Sequence, residues 1–248
     1  MSTQPPDERD DLYYATVRRL MEAHAYRVLG AARLLGHGVQ HVRSIRWMKV
    51  VLVRAREAVD HYETIGRMYE AFAAQSLEPV VLARLEERPP AFTQDVEELA
   101  LANFLYGRSA WWIFREHEQC SFVPYREVVL RIARDLGAQQ ALAEKLLAEA
   151  LAEPGDPARR RAHLERWLRL SLASFGRPNT PGSGYALTTG LRRRDAGMVI
   201  RDYLSDVLPH LQQAGVAVPP LSGLGLDLPA SLVHPSGAPS QPEEESVL

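Results

Sequence analysis

The chain has 248 residues, 46% of them hydrophobic and 24% charged, and its 29 Lys and Arg against 31 Asp and Glu leave a formal charge of −2. That balance gives no overall basic footprint for nucleic acid. The single cysteine, Cys120, excludes an internal disulfide and any Cys-rich zinc or iron–sulfur site, and no apolar run reaches the length of a membrane span. The polar, acidic start MSTQPPDERDD lacks the basic-then-apolar order of a signal peptide, so a soluble, cytoplasmic protein is expected, with neither nucleic acid nor membrane as a partner.

Residues 1–6 read as disordered, and a long helix is expected over 7–36, where Leu12, Val17, Leu20, Met21, Ala25, Val28 and Leu35 recur near a 3.6 period. Gly36 and Gly38 signal a break over 37–43. A second long helix is expected over 44–76, then a short apolar segment, Val80 to Leu85, closed by Pro89-Pro90. A third core helix, over 93–118, opens on Gln94, Asp95, Glu97 and Glu98 and carries Trp111 and Trp112 as core or interface residues. Pro124 opens a fourth, which Gly137 loosens without stopping before Pro154-Gly155. Asp156-Pro157 then caps a helix ending at Gly176, a loop covers 177–184, and a last helix over 195–213 is interrupted near Pro209.

No strand pattern and no Gly-rich phosphate loop is present. The expected fold is all-α, a ferritin-like helical bundle with additional C-terminal helices: a helical domain over 1–215 built on four core helices of about 25 to 30 residues, then an irregular, partly disordered tail over 216–248. The basic runs Arg159-Arg160-Arg161 and Arg192-Arg193-Arg194 read as solvated faces. His24 and His117 read as exposed or pair-bonded, and Cys120 as a half-buried, inert thiol.

The second helix carries the chemistry. Residues three or four apart share a helix face, so Val50, Val53, Glu57, His61, Thr64 and Met68 form a stripe with Glu57 and His61 projecting together and Asp60 beside them. A carboxylate and an imidazole set into a bundle are how di-iron proteins hold metal, and equally how a buried polar cluster is satisfied by a neighbouring helix.

Four segments carry a resemblance to a known family: AHAYRVLG (23–30), SFVPYREVVLRIAR (121–134), RWLRLSLASFGRPNT (166–180) and GLRRRDAGMVIRDYLSDVLPHLQQAGVAVPP (190–220). Across roughly residues 12–220 the order of pieces resembles the phenylacetic acid catabolic proteins, ferritin-like subunits of the multicomponent phenylacetyl-CoA epoxidase, and most closely the catalytic subunit. In members with a working di-iron site, the four core helices supply Glu, Glu-x-x-His, an acid, and Glu-x-x-His. The resemblance places those positions at Arg27, Ala58 and His61, Gly107, and Leu136 and Gln139. Of the six, His61 alone keeps a ligand type.

That substitution pattern implies a degenerate, metal-free pseudoenzyme with no assigned catalytic residue and no cofactor. Loss of the irons would leave buried carboxylates unpaired, so an internal polar cluster of Arg27, Glu57, Asp60, His61 and Asp135 is expected, with Arg27 contacting a carboxylate. The implied role is to pair with a homologous di-iron subunit, or with a second copy of itself, in a phenylacetate-catabolism oxygenase. Two alternatives stand beside it. One is a di-iron oxygenase acting on a CoA-thioester or carrier-bound aromatic acid, using Glu57 and His61 in another register. The other is an acyl-CoA-binding module in which Arg27 and Gln139 hold the acyl group and Arg192 to Arg194 meet phosphates.

Overall fold

In the computed structural model, which describes residues 9–178, 180–226 and 228, the chain first becomes helical at Asp11, where the Asp10 carboxylate accepts from the Tyr13 N–H at 2.8 Å. Helix α1 (Asp11–Gly38) then buries Tyr13, Val17, Met21, Ala25 and Val28 along one side and runs past the expected stop at Gly36. At Gly38 the third core helix passes so close that a Cβ would stand 2.5 Å from Leu99 Cδ1, which leaves room for glycine alone. A single 3-10 turn (Val39–His41) leads to α2 (Ile45–Ala73), which Ser44 caps through Trp47 N. The buried arc of α2 is Trp47, Val51, Arg54, Ala58, His61, Ile65 and Tyr69, rotated from the expected stripe: Val53 is exposed and Glu57 lies at the edge.

Tyr69 donates to Glu22, and Phe72 packs against Tyr14, so the end of α2 lies beside the start of α1 and the two helices are antiparallel. The chain must then travel the bundle's length, because α4 begins beside the end of α1; α3 (Glu78–Glu87) lies on that crossover against α1. Helix α4 (Val96–Arg115) descends, and α5 (Val123–Ala138) returns antiparallel to both α2 and α4. Two antiparallel pairs joined by a long crossover is the ferritin-like arrangement of a helical bundle.

The additional helices α6 (Gln140–Ala152), α7 (Pro157–Ala173) and α9 (Ala196–Gln213) pack on α4 from outside the four-helix core, so α4 is buried from Glu97 to Leu105 without interruption. Four expectations change. The fourth core helix is 16 residues long, and the chain breaks at Gln139 before α6. A short helix, α8 (Pro181–Thr188), capped by Thr180 with Pro181 in its first turn, replaces the expected loop. Helix α9 continues through Pro209. Beyond it, residues 216–228 hold one 3-10 turn (Leu221–Leu224), with Val216 and Leu224 buried in the core; the remainder of the expected disordered tail, with His234, and the expected disordered start lie outside the described residues. Among the described residues there is no strand, and no helix is long and apolar enough to cross a membrane.

The basic runs are ion-paired and hold the outer helices down. Arg160 meets Glu97 at 2.9 Å, and Arg193 and Arg194 meet Glu116, itself 1% exposed, at 3.5 and 2.6 Å. Arg108 joins Glu144 of α6 to Asp206 of α9 at 2.7 and 2.9 Å, while Trp112 donates to the same Asp206. Glu98, fully buried, accepts from Arg166 at 2.6 Å, Trp167 Nε1 at 2.9 Å and the Gln94 N–H at 2.7 Å, so one carboxylate fixes both the start of α4 and the seat of α7. Removing one partner of a buried ion pair costs about 3–5 kcal/mol. Glu98→Ala is therefore expected to lower unfolding free energy by about that amount in urea titration, whereas Glu165→Ala, which loses only an exposed pair with Arg161, is expected to change it by less than about 1 kcal/mol.

Candidate functional site

The hydrophobic core divides into two clusters along the bundle. One holds Leu34, Trp47, Val51, Leu99 to Leu105 and the outer helices; the other holds Tyr13 to Val28, Ile65, Tyr69, Phe114 and α5. Between them lies a layer of polar side chains contributed by all four core helices: Arg27 from α1, Arg54 and His61 from α2, Asn103 from α4 and Gln139 from the end of α5, each buried. They surround a cavity of about 40 Å³. That exceeds the roughly 10–15 Å³ a cavity needs to hold one water-sized group.

All six positions assigned by the resemblance line this one cavity: Arg27, Ala58, His61, Gly107, Leu136 and Gln139. The internal polar cluster is assembled differently from the expectation. Arg27 contacts no carboxylate among the described residues. Its Nη2 donates to the Ser174 carbonyl at 2.7 Å, and its guanidinium lies 5.3 Å from the Tyr106 ring centre. Ser174 is the C-cap of α7, so the negative end of a helix dipole takes the place of the expected acid. Asp60 is exposed and lies 3.8 Å from Arg56, because one residue back from His61 is about 100° around the helix. Asp135 is half-exposed and accepts from His61 Nε2 at 3.1 Å. Glu57 accepts from Gln139 Nε2 and lines a separate outer cleft with Lys49, Val50 and Asp135, away from the cavity that His61 lines.

Arg54 went unnoticed in the sequence. Its Nε donates to Gln139 Oε1 at 3.0 Å, so Gln139 bridges Arg54 to Glu57. Burial draws the Arg54 guanidinium down to about 10, with Glu57 acting against the fall. Its Nη2 stands 3.2 Å from where a Cβ of residue 107 would be. Glycine at the third helix's acid position thus makes room for the cation. The signal was available: 47-51-54-58-61-65-69 is an unbroken alternation of three- and four-residue steps until its last, and it places Arg54 on the buried arc.

The residues present do not fit a di-iron centre. Two iron ions need several hard anionic oxygens, and among the described residues no carboxylate lines the cavity. His61 spends Nε2 on Asp135, leaving one unpartnered imidazole nitrogen, and two buried guanidiniums oppose any cation. Among the described residues, no group of three or more His, Cys, Asp or Glu is placed to hold a metal ion, and this includes Glu57 and His61.

A second buried polar cluster starts one turn of α1 before Arg27. Of the two readings of His24 and His117, exposed or pair-bonded, the second holds: both are buried, with ring centres 4.8 Å apart. His24 Nδ1 and the Tyr125 hydroxyl are 2.8 Å apart, and His117 Nδ1 donates to the Leu191 carbonyl at 2.7 Å. Burial draws His117 down to about 4, assisted by the charge of Arg192 and resisted by the Leu191 bond and Glu116; burial, then His117, Arg27 and Arg192, holds His24 well below its ordinary range. Cys120, in the turn between α4 and α5, is 1% exposed, and burial pushes its thiol up.

Two predictions follow from these clusters. Both imidazoles are depressed in the folded protein, so their contribution to stability is full above about 6.5, and below it the unfolded chain binds more protons. Stability is expected to fall between about pH 6.5 and 4, by about 3 kcal/mol from His117 alone, in unfolding titrations at stepped pH. At the cavity, Gly107→Ala is expected to bring no gain in stability because its Cβ meets Arg54, whereas Gly66→Ala, in open space on α2, is expected to add about 0.5–1 kcal/mol in the same assay. Compared with known proteins, the chain matches no family model and no curated protein.

Proposed function

We propose that this chain is a metal-free, ferritin-like subunit that pairs with a homologous di-iron subunit of a phenylacetyl-CoA-epoxidase-like multicomponent oxygenase. One observation carries the reading. The six positions at which the resemblance expects iron ligands surround a single cavity, and five of them hold Arg27, Ala58, Gly107, Leu136 and Gln139. Chance placement of six residues from four helices around one small space is a demanding coincidence for a mistaken register. Their replacement by a cation, small or apolar residues and an amide is what removal of two metal ions requires if the interior is to stay neutral enough to fold.

Pairing has its own support. Helix α2 presents Ile45, Leu52, Val53 and Val59 to the outside, Leu142 of α6 lines one cleft with Val53, and Leu130 of α5 is exposed as well. Four exposed aliphatic residues on one helix exceed what scattered surface hydrophobics need. In this role the chain's own residues do no redox chemistry: α2 offers the docking face, and the polar layer fixes the spacing of the four core helices behind it. The acyl-CoA alternative retains Arg27 and Gln139 at the cavity, but Arg193 and Arg194 are engaged with Glu116, which weakens the phosphate half of that site.

The decisive measurement is iron content after anaerobic reconstitution with ferrous iron. Fewer than about 0.1 iron per chain is expected; about two per chain, with a di-iron absorption band, overturns the reading in favour of the oxygenase. Leu52→Asp combined with Val59→Asp is expected to abolish co-purification with a bundle protein bearing intact ligands while leaving thermal unfolding within about 2 °C of the parent.

A further inference from the structure

The two guanidiniums that took over the metal position are themselves incompletely answered. Arg27 and Arg54 are 8% and 6% exposed, and Nη1 of each finds no hydrogen-bond acceptor among the described residues. A buried donor left without an acceptor costs about 1–3 kcal/mol, and more when it is charged. Both residues line the same cavity, and among the described residues no Asp or Glu does. The rest of the wall combines polar His61, Asn103, Tyr106 and Gln139 with aliphatic Val28, Ala31, Ala58, Ala110 and Leu136.

We infer that this cavity is a binding site for a short-chain monocarboxylate, of formate to acetate size, held between Arg27 and Arg54. The chemistry selects that class in three steps. A guanidinium presents paired N–H donors that match a planar carboxylate, and two of them facing one space favour a single shared anion over two separate ones. A cavity of about 40 Å³ suits a small planar anion such as formate or acetate. The aliphatic part of its wall accepts a methyl group.

The cavity shares part of its wall with a basic cleft at the surface. Arg27 and Tyr106 also line an outer cleft of about 480 Å³, where Arg84 and Arg88 add positive charge. An anion entering there meets a basic approach before it reaches Arg27, which raises its local concentration. The site stands whether or not the chain pairs with a second bundle, because it depends only on residues of this chain.

The test uses the full chain at pH 7 and fixed ionic strength, with sodium acetate exchanged for sodium chloride, and reads thermal unfolding together with NMR line broadening of ¹³C-labelled acetate. Acetate is expected to raise Tm saturably and to broaden saturably, and chloride to do neither. Arg27→Met is expected to weaken acetate at least tenfold, and Ala58→Leu, which fills the cavity and keeps both cations, to abolish binding; either variant alone suffices if the other does not fold. Absence of saturation, an equal response to chloride, or acetate binding undiminished in the folded variants overturns the site. Tighter binding of hexanoate than of acetate also overturns it, by showing that the occupant is the end of a longer acid lying in the outer cleft.

Discussion

The structure turns on a layer of buried charge placed where the bundle's two apolar clusters meet. Arg27 and Arg54 cannot be left in a low-dielectric interior without compensation, and the chain compensates them by unlike means. Arg27 is answered by the C-terminal end of α7 and by the Tyr106 ring, Arg54 by Gln139 and, through it, by Glu57. The groups in direct contact with each guanidinium, Ser174, Tyr106 and Gln139, come from outside the helix that bears the arginine. The layer therefore fixes where α7 and the α5–α6 junction sit relative to α1 and α2, a positional specificity that apolar packing alone supplies weakly because aliphatic side chains slide at little cost.

Once this layer is recognised, the outer helices make physical sense. Helix α7 supplies a dipole end to the interior and is itself held by Arg166 and Trp167 on Glu98. Gln139, whose backbone stays close to helical at φ −83° and ψ −13°, is the junction at which α5 passes into α6, and from there its side chain reaches both Arg54 and Glu57. Gly107 belongs to the same set, since Arg54 occupies the space its side chain would need.

Much of the fold was legible because it depends on local chemistry: the 3.6 period of α1 and α2, the acidic start of α4, the Asp156 cap, and the Pro-Pro and Pro-Gly stops. What the sequence withheld depends on packing against distant segments. The buried arc of α2 was misplaced because Val50 and Val53 are as apolar as Val51, and periodicity cannot rank them when a cleft exposes one side. His24 and His117 read as exposed or pair-bonded beside their glutamates, and α5 and Leu191 close over them. For the site, the positions ringing the cavity were legible through the resemblance, whereas the partner of Arg27 was not. A backbone carbonyl 147 residues away leaves no trace in residue types. α8 was the avoidable miss, since Thr180-Pro181 is a start signal of the same kind as Asp156-Pro157.

Cys120 gives this architecture a built-in clock. It is the chain's single thiol, it sits in the turn between α4 and α5, and it is closed off from solvent at the end of the bundle where the two histidines are buried. Reaction with a thiol reagent can proceed only through conformations in which that corner has opened, so its rate is the intrinsic rate scaled by the opening equilibrium. A rate matching global unfolding would mark the α4–α5 corner as part of the last structure to come apart. A faster one would mark it as a hinge that breathes while the polar layer at the middle of the bundle holds.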